Sequence, residues 1–170
     1  MQLYRPVGLI ELQRIYDRLA SVREAVAAVD DTSRKASNGW AVGQVLDHLT
    51  KVHEKMLPIF RVALESAPSR TGDDAVRSTF MERQIVKGMS GGLPIKIPVP
   101  PMFEPSESNP QAKEACLASI DGFLAMIPEA DGKALAGLKV TSPVSDRIRL
   151  GWLPYLEAMA GHAEYHRAQF

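Results

Sequence analysis

The chain has 170 residues, which is long enough to bury a core of its own. Its 20 basic and 20 acidic side chains balance, so its charge gives no indication of nucleic-acid binding. A single cysteine excludes an intramolecular disulfide framework. No stretch approaches the roughly 18 apolar residues of a membrane span, and the N-terminus lacks the apolar run of a signal peptide. We therefore expect a single cytoplasmic domain over residues 1–170, without nucleic-acid or membrane partners.

Two amphipathic helices are predicted in the first part of the chain. Leu9 to Val29 carries apolar residues at helical spacing with charged residues between them. After a polar break, a second apolar stripe runs from about Ala41 to Ser66. Asn38 is the candidate N-cap of this helix, Trp40 is expected to pack at its entrance, and Pro58 predicts a kink or a break.

The segment between positions 68 and 110 differs in character. Six of the chain's 12 prolines lie between positions 94 and 110, which excludes regular helix there. Its apolar residues argue against a disordered linker; they are Leu93, Ile95, Ile97, Val99, Met102 and Phe103. We expect a long ordered crossover with a short helix around Ala75 to Lys87, and long connections of this kind often shape binding sites.

A third helix is predicted from Gln111 to Ile127, and Pro128 is expected to end it. The connector from Ala134 to Val144 follows, in which Leu138 to Val140 is a candidate extended segment. The residues of the third helix expected to face the core are Ala115, Leu117 or Ala118, Ile120 and Leu124.

The fourth helix is predicted to begin near Gly151 or Trp152 and to continue to the end of the chain. Pro154 is compatible with it only in the first turn. Four amphipathic helices, with a long proline-rich crossover between the second and third, predict an all-α fold, a four-helix bundle.

The most informative pattern is the histidine pair His162 and His166 in the last helix. The i,i+4 spacing places both imidazoles on one helix face, with Cβ atoms roughly 5–6 Å apart. Trp152, Tyr155 and Met159 precede them at spacings of three or four residues, so both rings extend the apolar face into the bundle. Two such nitrogens can share one metal ion, at about 2.0–2.1 Å each for zinc.

A third ligand must come from His48 or His53 in the second helix. Five residues separate them, which rotates one roughly 140° from the other. His48 lies at the margin of the apolar stripe, between Val45 and Val52, and is the better candidate. The residues alone leave two interpretations open: a three-histidine metal site, or buried histidines with ordinary hydrogen-bond partners.

Two motifs resemble those of the DinB-like superfamily of metal-dependent helical bundles. Trp40-Ala-Val-Gly-Gln-Val-Leu-Asp-His48-Leu49 is similar to its second-helix signature, in which a tryptophan precedes a helix with a His-Leu pair. Gly161-His162-Ala-Glu-Tyr-His166-Arg-Ala-Gln169 is similar to its closing His-x-x-x-His helix. The order of elements agrees over nearly the whole chain. The resemblance implies that His48, His162 and His166 bind a divalent metal, zinc or nickel, and that His53 lies on the surface or packs structurally.

The resemblance further implies a metal-dependent transferase that uses a low-molecular-weight thiol, or a hydrolase, acting on a small molecule. Three protein ligands leave a fourth position open, which is typical of catalytic sites. The alternatives are a non-catalytic metal- or ligand-binding stress-response module of the same fold, and a purely structural helical protein. A homodimer is compatible with such a bundle.

Other polar residues near the motifs have weaker functional indications. Glu164 and Asp47 project away from the ligand face, so we expect neither to act as the general base. Cys116 is expected to be a small core residue. Tyr165 and Gln169 are candidates to border the pocket. Its candidate walls are Met56, Met102, Phe103 and Met159. Since only four residues follow His166, its helix needs an anchor, for which Phe170 is the candidate.

Overall fold

The computed structural model of the protein describes residues 10–72, 75–92 and 98–170. They form a mostly helical fold with one small antiparallel sheet. Within these residues, no helix combines the length and the apolar composition that a membrane crossing requires. In chain order the elements are α1 (Ile10–Ala27), α2 (Val42–Ser66), α3 (Phe80–Met89), a 3₁₀ helix (Pro101–Phe103), α4 (Ala112–Glu129), β1 (Lys139–Ser142), β2 (Ser145–Gly151) and α5 (Trp152–Arg167).

The four long helices share one buried core. α2 packs along α4, α1 packs against both α4 and α5, and α3 lies on α5. The rings of Phe60 and Trp152 meet edge to face, and Trp152 Nε1–H donates to the carbonyl oxygen of Phe60 over 3.0 Å. Because a fully buried large side chain contributes about 1.5–3 kcal/mol, this pair ties the start of α5 firmly to α2.

The second helix differs from the prediction in two details. It runs unbroken through Pro58, whose side chain is exposed, so the predicted break is wrong. Asn38 does not cap it. Its Oδ1 accepts a hydrogen bond from the Trp40 N–H in the preceding turn, and Ala41 holds the cap position. Gln44 Oε1 accepts the Ala41 N–H, which closes this end of the helix.

Two parts of the prediction lie outside the described residues: the start of the first helix at Leu9, and the crossover residues Leu93, Ile95 and Ile97. α3 begins at Phe80, later than predicted, because Thr79 and Glu82 form a capping box there. α4 continues past Pro128 to Glu129, so this proline occupies the last turn and does not end the helix. Ile120 and Leu124 are buried as predicted, whereas Ala118 is exposed and Ala115 and Leu117 are only partly buried.

A β-hairpin between α4 and α5 was predicted only in part. β1 overlaps the predicted extended segment, but β2 was missed. Its apolar alternation covers only Arg147-Ile148-Arg149-Leu150, and positions 146–149 are all exposed. Val140 pairs with Leu150, and both side chains are buried. β2 leads directly into α5, so the hairpin lies beside the helix that carries the histidine pair.

Glu82 joins three elements at this point. Its carboxylate accepts hydrogen bonds from the N–H of Thr79 at 2.7 Å and of Gly151 at 2.6 Å, and from Lys139 Nζ at 3.2 Å. Burial raises the pKa of Glu82, but these hydrogen bonds outweigh it and hold the pKa at about 2. The ionised carboxylate therefore links α3, β1 and the start of α5.

Candidate metal centre

The packing of α2 against α5 brings His48, His162 and His166 together. The Nε2 atom of His162 lies 3.4 Å from that of His48 and 3.1 Å from that of His166. One ring nitrogen from each residue lies within 4.8 Å of the other two. The three histidines predicted from the sequence are thus neighbours in the fold, and their nitrogens converge on one point.

Hydrogen bonds on the far side of two rings fix where their protons lie. His48 Nδ1 donates to the backbone carbonyl oxygen of Phe103 over 2.7 Å. His166 Nδ1 donates to Gln169 Oε1 over 2.9 Å. Because each partner atom is an oxygen acceptor, the proton of each neutral ring lies on Nδ1, and each Nε2 presents a lone pair to the centre of the cluster.

Two converging lone pairs leave the cluster one hydrogen-bond donor short. His162 Nε2 carries at most one hydrogen, which can be directed at His48 or at His166 but not fully at both. A cation between the nitrogens satisfies all three at once. Three nitrogens at about 2.0–2.1 Å from one tetrahedral zinc ion lie about 3.3–3.4 Å apart, close to the two Nε2–Nε2 distances that His162 makes. The donor set therefore fits a metal ion.

Burial keeps the three rings uncharged. It lowers the pKa of His48, and the hydrogen bond to Phe103 only partly offsets this effect. Burial, reinforced by His48, lowers the pKa of His166 to about 4. The pKa of His162 lies well below its usual range, first through burial and then through the neighbouring imidazoles. At neutral pH the rings are thus in the form that binds metal.

The crossover positions His48 through Asp47, its neighbour in sequence. Asp47 is 4% exposed. Its carboxylate accepts the Ser106 N–H at 2.8 Å and Asn109 Nδ2 at 2.6 Å. These bonds hold the crossover on α2 and so place the Phe103 carbonyl at His48. Sequence reasoning missed this role, because the i,i+4 spacing of Asp47 and Lys51 is typical of an ion pair on an exposed helix face.

The end of α5 is anchored mainly by Gln169. Its backbone carbonyl accepts the Ser37 N–H over 2.9 Å, and its Oε1 accepts Asn38 Nδ2 over 3.0 Å as well as His166 Nδ1. Phe170, the predicted anchor, is partly buried against the core. The turn before α2 therefore holds the histidine helix in place.

His53 is not part of the cluster. It is 1% exposed, so the surface alternative is wrong and the structural one is confirmed. Its Nδ1 donates to Ser119 Oγ over 2.9 Å, and its ring packs edge to face on Phe123. Among the described residues, His53 Nε2 and His162 Nδ1 are buried without a hydrogen-bond partner. Burial is the main cause that lowers the pKa of His53 to about 3.

A cavity of about 570 Å³ opens beside the three histidines, which line part of its wall. Trp40 lies at the predicted helix entrance, with its ring centroid 5.6 Å from that of His48. Tyr165 and Gln169 border the cavity, as the sequence suggested. Of the four predicted wall residues, Met56, Phe103 and Met159 line it, whereas Met102 is largely exposed and does not. The hairpin and α3 form further walls that the sequence did not predict.

The remaining candidate groups have structural roles. Glu164 forms an ion pair with Arg18 at 2.6 Å, so it is engaged with α1 and not with the cavity. Cys116 is fully buried, and burial raises the pKa of its thiol to about 12, which is unsuited to a nucleophile. Neither residue lines the cavity.

No family model, curated protein or solved structure matches the chain. The DinB-like resemblance therefore stays a prediction that rests on the two histidine motifs.

Proposed function

We propose that the protein is a divalent-metal-dependent enzyme, a thiol transferase or a hydrolase, with a zinc or nickel ion bound by His48, His162 and His166. The convergence of three Nε2 atoms at the wall of a large cavity is the observation that carries this proposal. In the same proposal α1, α2, α4 and α5 are the four helices of a DinB-like bundle. α3 belongs to its crossover, and the hairpin is an addition before the last helix.

His48, His162 and His166 would hold the ion, and three protein ligands would leave a fourth position available to a molecule in the cavity. A zinc or nickel ion held there supplies Lewis acidity, which lowers the pKa of a thiol or water that enters the cavity. Phe103 and Gln169 keep the Nδ1 protons of His48 and His166 in place, so both rings retain the orientation that ligation requires.

A proton donor for the reaction is available in Tyr155. Its side chain lines the cavity and is 6% exposed. Burial raises the pKa of its hydroxyl, and the hydrogen bond with Ser142 only partly offsets this, so Tyr155 Oη keeps its proton at neutral pH. The hydroxyl can therefore donate to a leaving group or hydrogen-bond to a bound substrate.

The second candidate function is a non-catalytic module that binds a metal ion and a small ligand. It is favoured by the absence of Asp, Glu, Lys and Arg from the described residues that line the cavity. A site that only binds a ligand needs no such general acid or base, whereas most hydrolytic sites contain one.

A turnover screen tests the two candidates against each other. Protein loaded with zinc or with nickel is incubated with low-molecular-weight thiols together with electrophiles, and separately with activated esters. An enzyme turns over one of these sets, loses activity with a chelator and loses it in His162→Ala, while His53→Gln retains it. Tight binding of a probe without turnover under any metal supports the binding module and contradicts the enzyme.

A further inference from the structure

The cavity beside the histidines has an uncharged lining throughout its described part. Its polar groups are amides, hydroxyls, the tryptophan and the imidazoles, and the rest of its wall is apolar. Ligand pockets of about 300–1,000 Å³ usually bury most of a small molecule and orient it through a few polar groups. Here Asn38 and Gln169 lie beside the histidines, since Gln169 Oε1 accepts hydrogen bonds from both Asn38 Nδ2 and His166 Nδ1. Tyr155, which also lines the cavity, is hydrogen-bonded to Ser142 of the hairpin.

The outer wall carries aliphatic side chains that are unusually exposed. Val144 is 49% exposed and Ile148 is 39% exposed, yet both line the cavity from the hairpin. Ile85 and Met89 of α3 line it as well and are partly buried. Exposed apolar side chains that gather around a concave site mark a surface that a ligand covers.

We propose that this cavity binds an uncharged, largely apolar organic molecule with one donor atom directed toward the three histidines. Val144 and Ile148 contact its apolar body and determine specificity. This inference rests on the proposed function, since the metal ion receives the donor atom. A carboxylate at the outer end of the ligand would lose hydration and find no cationic side chain among the described lining residues.

Two thiols of nearly equal size test this selection. Zinc-loaded protein is titrated calorimetrically with benzyl mercaptan and with 4-(mercaptomethyl)benzoate, which differ only by the carboxylate. We expect the uncharged thiol to bind at least about tenfold more tightly, because the carboxylate is poorly accommodated by the apolar wall. Equal binding, or tighter binding of the carboxylate, would overturn the inference.

Substitutions then locate the selecting wall. Ile148→Lys places a cation at the cavity and should shift the ratio of the two affinities toward the carboxylate by about tenfold. Val62→Lys is the matched control, since Val62 is 67% exposed on α2 and does not line the cavity. If both variants show the same ratio of the two thiol affinities as the wild type, or if both change that ratio equally, the hairpin does not determine specificity.

A metal-free arm separates this inference from the proposed function. Chelator-treated protein is titrated with toluene and with benzoate, which lack the thiol. If the protein binds no zinc but its chelator-treated form prefers toluene, the metal enzyme is contradicted and the apolar cavity is supported. Metal binding together with preference for the carboxylate thiol would leave the metal site standing and overturn the apolar selection. The apolar selection is also overturned if neither benzyl mercaptan nor toluene binds.

Discussion

His48 donates its Nδ1–H to the carbonyl oxygen of Phe103, a residue 55 positions further along the chain, over 2.7 Å. A backbone carbonyl cannot be removed by substitution of its side chain, so this proton position is determined by the path of the crossover. At His166 the corresponding acceptor is the side-chain oxygen of Gln169, which a substitution of Gln169 can remove. The two ligands are thus oriented by different means.

Gln169→Leu should weaken zinc binding about 10- to 100-fold, the usual effect of removing the hydrogen-bond partner of a metal-ligating histidine. The leucine keeps the backbone bond from Ser37 but cannot accept the His166 Nδ1 proton. Competition with a chromogenic chelator measures the affinity. Gln111→Leu, an exposed position at the start of α4, is the control and should bind zinc as the wild type does. Equal affinities in the two variants would show that Gln169 does not orient the ligand.

Glu82→Gln should lower the free energy of unfolding at pH 7 by about 2–3 kcal/mol. The substitution removes an ionised acceptor from two backbone N–H groups and Lys139. The folded-state pKa of about 2 lies below the ordinary 4.5, so the stabilisation is present above pH 4.5 and is lost as the pH falls toward 2. Denaturant unfolding of the wild type and of Glu82→Gln should show that the difference between their free energies of unfolding shrinks as the pH falls. Glu54→Gln, at an exposed position on α2, is the control and should change the free energy of unfolding little.

His53 should make the metal-free protein sensitive to mild acid. Its pKa of about 3 in the folded state lies below the ordinary 6.5, so its contribution is present above pH 6.5 and is lost as the pH falls. Each such group lowers the free energy of unfolding by about 1.4 kcal/mol per pH unit, or about 2 kcal/mol between pH 6 and pH 4.5. His53→Gln should therefore show a shallower decline over this interval than the wild type. Parallel curves would mean that His53 takes up a proton in the folded protein.

Gly161→Ala should destabilise the protein by bringing a methyl group against Ser90 at the end of α3. A Cβ at position 161 would overlap Ser90 Oγ, which is itself bonded to the carbonyl oxygen of Val86. Ser90→Ala in the same chain removes the overlapping hydroxyl and should recover most of the loss in melting temperature. If the double variant is no more stable than Gly161→Ala, the close approach of α3 to α5 is not the reason for the glycine.

The histidine pair could be predicted because i,i+4 spacing and the surrounding apolar residues determine its face. His48 could be chosen over His53 for its place on the apolar stripe, but His53 proved to be equally buried, against Ser119 and Phe123. Periodicity distinguishes faces of one helix and does not say which helix packs against each face. For the same reason the contact between α2 and α5 could not be predicted from the residues alone.

Some of the hydrogen bonds that support the histidines and α3 could be predicted from local spacing, and others could not. Gln169 follows His166 by three positions, so its proximity is a matter of helical spacing, and the pattern Thr79-x-x-Glu82 is a readable capping box. The Phe103 carbonyl could not be predicted, because its position depends on an irregular crossover that Asp47 holds in place. The second strand of the hairpin carries an apolar alternation at only two positions, Ile148 and Leu150, which is a weak signal for a strand.

The most direct test is the metal content of single-histidine variants. Wild-type protein and the variants His48→Ala, His162→Ala, His166→Ala and His53→Gln are loaded with zinc, freed of excess ion by gel filtration and measured by elemental analysis alongside circular dichroism. Three converging Nε2 atoms predict one ion per chain in the wild type and in His53→Gln, and its loss in each of the three alanine variants. Full metal content in any two of those alanine variants, or none in the wild type, would contradict the three-histidine site.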